Sequence, residues 1–99
     1  MILFNIIQNS EHKAEEISTF LIQKKYALQT HIDVNTILTS DSKKQTVRLF
    51  FATKALLYSM IEREIKEKYF SDDMMIYATP ISHMNEEYEE ILRSKIIAV

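Results

Sequence analysis

Apolar and polar positions along the chain fall into alternating periods of two and of about 3.6. Residues 2–7 (Ile-Leu-Phe-Asn-Ile-Ile) are apolar on both sides of an extended chain, which predicts a central, buried strand. Asn9-Ser10 offers a helix N-cap, and Ala14, Ile17 and Leu21 then recur at helical spacing through residues 11–25. Glu11, Glu15 and Glu16 stand early in that helix and Lys24 and Lys25 late, the order its dipole favours. Residues 28–39 alternate strictly: Leu28, Thr30, Ile32, Val34, Thr36 and Leu38 point one way, Gln29, His31, Asp33 and Asn35 the other. After a polar turn at 40–44, a second strand over 45–52 carries Val47, Leu49 and Phe51 opposite Arg48 and Phe50, so the pair reads as a hairpin.

Helical spacing returns over 54–69 through Leu57, Ile61 and Ile65, with Glu62–Lys66 and Glu64–Lys68 at i, i+4. Phe70 to Asp73 breaks that helix, residues 74–79 form a strand stopped by Pro80, and 81–84 is a loop. Asn85 caps a last helix with Glu86 and Glu87 in its first turn and Tyr88, Ile91 and Leu92 on its buried side. The order β-α-β-β-α-β-α folds, by right-handed crossovers, into one α+β domain over 1–99. It is a ferredoxin-like sandwich, a four-stranded antiparallel sheet with helices on one face. The uncovered face carries Gln29, His31, Asp33, Asn35, Arg48 and Phe50, and a large aromatic there favours burial in an oligomer.

Composition narrows the chemistry. The chain has 99 residues, no glycine and no cysteine. Glycine-rich phosphate cradles are thereby excluded, as are disulfides, thiolate metal sites and cysteine nucleophiles. The formal charge of −2 and the scattered 12 basic residues argue against nucleic acid as a partner. The apolar start is too short for a secretory signal and no run approaches a membrane span, so a cytoplasmic protein is expected. Several serines are present, but none sits in a glycine-flanked elbow or a legible triad.

The segment Ala78-Thr-Pro-Ile-Ser-His-Met-Asn-Glu-Glu-Tyr88-Glu-Glu-Ile91 resembles the closing motif of the CutA-type divalent-cation tolerance proteins of the PII-like superfamily. There a strand ends in an Ala-x-Pro-Ile-like step and a Tyr eight residues after the Pro begins the last helix, a spacing that Pro80 and Tyr88 keep. Leu21 to Ile32 is similar to the family's passage from helix one to strand two. Leu49-Phe-Phe-Ala-Thr53 is similar to its third strand. The resemblance implies a ferredoxin-like subunit in a tight homotrimer, associated with tolerance to divalent metals such as copper. The departures touch the chemistry. Gln29 stands where the family has a Cys, Ala52 where it has a Lys, and Ile91 where it has a Trp. Lys68 to Asp73 replaces its His-Pro-Tyr-Glu-x-Pro stretch.

Three residues are candidates for a divalent metal, copper or zinc. His31 and Asp33 lie two apart on one strand and so face the same way; the commoner use of such a pair is a polar subunit contact. His83 sits in the loop before the acidic start of the last helix, where an exposed histidine beside solvated carboxylates is the plainer reading. His12 reads as exposed, and Met74-Met75 as core packing rather than thioether ligands. Three functions remain open: a CutA-like or PII-like trimer binding a divalent ion or small ligand, an oligomeric interaction module without metal chemistry, and a small dimeric enzyme of the monooxygenase or isomerase type.

Overall fold

The computed structural model describes residues 1–99. In order come β1 (Ile2–Gln8), α1 (Glu11–Gln23), β2 (His31–Leu38), β3 (Lys43–Thr53), a 3-10 turn (Ala55–Leu57), α2 (Tyr58–Tyr69), β4 (Met75–Pro80) and α3 (Glu86–Lys95). The sheet order is β2-β3-β1-β4 with every neighbouring pair antiparallel. This is the ferredoxin-like α+β arrangement expected from the sequence, and β1 is central as its two-sided apolar pattern requires.

Local chemistry sets the element ends. The Ser10 hydroxyl accepts the Lys13 amide at 3.1 Å and starts α1. The helix closes at Lys25, whose φ of 62° is the only positive value in the chain. The Lys25 amide donates to Ile22 O and the Tyr26 amide to Leu21 O, a Schellman closure without its usual glycine. β2 starts three residues later than the alternation predicted. Thr30 turns its hydroxyl to Ser18 (2.8 Å), and Leu28 packs against the core. Thr39 stops the strand by bonding the Ser42 amide and carbonyl. Pro80 joins the end of β4, where an edge strand tolerates its missing N–H.

Directly paired residues share a face, so the register sorts the side chains. Phe4, Ile6, Val47, Leu49 and Phe51 face α1 and α2, which bring Ala14, Ile17, Leu21, Ile61 and Ile65 onto them. Phe4 and Phe51 stack at 5.1 Å between ring centres, with Tyr58 at 5.0 Å from Phe4. The third helix differs. Tyr88 and Leu92 of α3 lie with Leu3, Phe50 and Ala52, which belong to the opposite face, so α3 covers one end of the open face.

Three expectations are corrected in detail. Ile91 is exposed rather than buried, because Tyr88 and Leu92 set the inward side of α3. Met74 packs on the core, but Met75 is half exposed at the start of an edge strand. Glu64 pairs with Lys24 (3.7 Å) and Tyr26 instead of Lys68, whose ammonium lies over the Phe20 ring at 4.5 Å.

Candidate functional site

The open face is built on β2 and β3, whose register sets His31 opposite Phe50 and Asp33 opposite Arg48. The His31 ring stacks on Phe50, with centres 4.9 Å apart and planes at 17°. The Arg48 guanidinium lies 4.1 Å from the centre of the same Phe50 ring. Its Nε donates to Asn5 Oδ1 at 2.9 Å, and the Asn5 Nδ2 donates to Leu3 O at 3.2 Å. Asn5 is fully buried, so this polar residue in the middle of an otherwise apolar central strand fixes the guanidinium plane. Asp33 Oδ2 is 3.8 Å from Arg48 Nη1, an ion pair without a hydrogen bond.

The structure therefore brings His31 and Asp33 to one face, as the alternation requires. His83 lies apart from them in sequence, exposed in the loop between β4 and α3. Beside it, α3 starts with Glu86, Glu87 and Glu89. The Glu87 carboxyl is held below its ordinary range by its own backbone amide, then by the Asn85 side chain. Asn85 spends its amide on Glu87 (3.3 Å) and makes no side-chain cap to the helix. No three His, Asp or Glu side chains of one chain gather in a metal-ligand arrangement. Asp33 faces the Arg48 guanidinium across the hairpin.

A cavity of about 120 Å³ opens beside this cluster. Leu3, Leu28, Phe50, Ala52, Tyr88 and Leu92 form its walls. Gln29 and His31, both exposed, are its polar residues. Sequence patterning missed this hollow, since it joins two strands, the segment before β2, and a helix. The one signal was that Gln29 and Ala52 were already marked as departures from the resembled family. Two tyrosines elsewhere are held well above their ordinary range, both to about 12. Burial is the main cause for each, reinforced by Glu64 beside Tyr26 and Glu62 beside Tyr58, and Arg63 opposes it at Tyr26.

No helix is long and apolar enough to cross a membrane. No protein-family model and no curated protein matches the sequence. Solved structures do match. CutA1 from Pyrococcus horikoshii superposes with a TM-score of 0.87 at 17% identity, covering 99% of this chain and 100% of that one. The divalent cation tolerance protein CutA1 of Thermus thermophilus gives 0.80 at 22% identity, over 97% and 99%. CutA from Archaeoglobus fulgidus, described as a periplasmic divalent cation tolerance protein, gives 0.81 at 19%, over 96% and 98%. From its first strand to its last helix, this chain has the CutA-type fold.

Proposed function

We propose that the protein is a CutA-like homotrimer that handles a divalent cation, copper or zinc, in the cytoplasm by binding rather than catalysis. The observation that carries this reading is the end-to-end agreement with CutA1 tolerance proteins, which covers nearly the whole of both chains. The uncovered sheet face supports assembly. Phe50, Leu3 and Tyr77 there are only partly buried, and an apolar face of this kind is more stable against a second copy than in water. Because one chain gathers no three ligands, the cation takes donors from more than one subunit, with His83, or His31 and Asp33, as this chain's contributions.

Calorimetric titration with Cu²⁺ and Zn²⁺ tests the reading. The wild type should bind more tightly than about 100 μM, and His83→Ala or His31→Ala should weaken binding at least tenfold. Equal absence of binding in all three proteins would leave an oligomeric interaction module without metal chemistry. The enzyme reading has less support, since the solved structures this chain resembles are CutA1 tolerance proteins. Cell fractionation checks the compartment, with recovery in the soluble cytoplasmic fraction expected.

A further inference from the structure

Beyond Val47 the β2–β3 hairpin extends past the end of β1 as an arm. We propose that this arm seats on α3 of the next copy, with Val34, Lys43 and Lys44 of the arm against Ile91, Glu87 and Glu90 of the helix. The contact rests on the homotrimer reading and names the surfaces by which neighbouring copies hold one another.

Shape comes first. Val34 and Ile91 are 46% and 45% exposed, and each lies in a shallow recess of its own element. Val34 shares its recess with Lys43 and Lys44, and Ile91 shares its recess with Glu87 and Glu90. Charge comes second. Neither lysine forms an ion pair within the chain, and neither does Glu87 or Glu90. Arg93, the one cation at the α3 recess, is held by Glu89 at 2.7 Å. One apolar side chain beside two ammonium groups thus meets one beside two carboxylates, the complementarity that fixes register between partners. Charge also rules out the groove of Met1, Ala55, Leu56 and Val99, whose Lys54 and Arg93 have the sign of the arm. Exposed Phe70, near Asp72 and Asp73, has the right sign but follows α2, in the layer away from the open face. Position comes third. α3 stands at the end of that open face, so a contact there is continuous with the face that the homotrimer covers. Within one chain the arm does not reach it. Tyr88 and Leu92 sit by Ala52, and Lys44 is roughly 26 Å further along β3 at the rise of an extended strand. The contact therefore joins unlike patches of two copies, the head-to-tail type that closes into a ring.

The chain has no cysteine, so Val34→Cys combined with Ile91→Cys tests the contact directly. A disulfide needs Cα atoms within about 7 Å. Oxidised with diamide, the double variant should run on a non-reducing denaturing gel at two and three chain masses, and either single variant at one. Charge reversal is the independent test, at four exposed positions that leave the circular dichroism of the subunit unchanged. Lys43→Glu with Lys44→Glu should weaken assembly about tenfold in light scattering over a dilution series, as should Glu87→Lys with Glu90→Lys. All four changes together should restore assembly to within about threefold of wild type. Only single-chain bands from the double cysteine variant would overturn the contact and leave the homotrimer standing. So would reversals without effect, or a fourfold variant no better than its halves. A wild type that stays monomeric at every concentration would overturn both the contact and the homotrimer.

Discussion

Two stretches of the same sheet carry the same alternation and meet opposite fates. In β3, Val47, Leu49 and Phe51 are at most 1% exposed. In β2, on the same face, Ile32, Val34 and Leu38 are 37%, 46% and 74% exposed. The difference lies in what stands above them. α1 and α2 cover the part of β3 paired with β1, whereas β2 is the edge strand of the sheet and the hairpin beyond Val47 extends past β1 as an arm. Alternation reports that a strand has an apolar side; it does not report whether the same chain covers that side. An arm of this kind is a reason for assembly rather than a defect of folding.

The largest test of that contrast is in the body. Phe51→Ala removes a fully buried ring stacked on Phe4 and should cost about 3–5 kcal/mol in urea unfolding at fixed protein concentration. That is a large share of the ~5–15 kcal/mol expected for a domain. The next test is in the arm. Val34→Lys with Leu38→Lys should leave the circular dichroism of the subunit intact and shift the assembly to lower mass in light scattering. An unchanged mass would mean that the arm is solvated in the assembly too.

The tyrosines sharpen the body further. Tyr26 and Tyr58 keep their protons to about pH 12 in the folded chain against an ordinary 10. The folded state therefore holds more protons between those values. The stability tied to them is full below pH 10 and is lost as pH rises toward 12. Tyr26→Phe should flatten that part of the stability–pH curve; a curve identical to wild type would mean that the Tyr26–Glu64 pair contributes nothing to it. The smallest effect is at the turn between α1 and β2. Lys25→Gly relieves a left-handed backbone and should raise stability by about 0.5–1 kcal/mol in the same urea assay.

How much of this the sequence foretold depends on how local the cause is. Helix spacing at Ala14, Ile17 and Leu21, the Ser10 cap and the central β1 were legible because each rests on neighbours within a few residues. The inward side of α3 was read partly wrongly, since Tyr88, Ile91 and Leu92 are all apolar and only the sheet decides which two face in. Of the site, the sharing of one face by His31 and Asp33 followed from the period of two. The Asn5–Arg48 bond, 43 residues apart in sequence, did not, nor did the cavity under α3. Both arise where β1 and α3 return to the hairpin, and no repeat in the sequence marks that meeting.

If subunits of this fold cover one another's open faces, the intact chain assembles without any metal added. Light scattering under those conditions measures the assembly directly. A particle of three times the 11.7 kDa chain mass is expected. A monomer, or a dimer that persists across concentration, would contradict it.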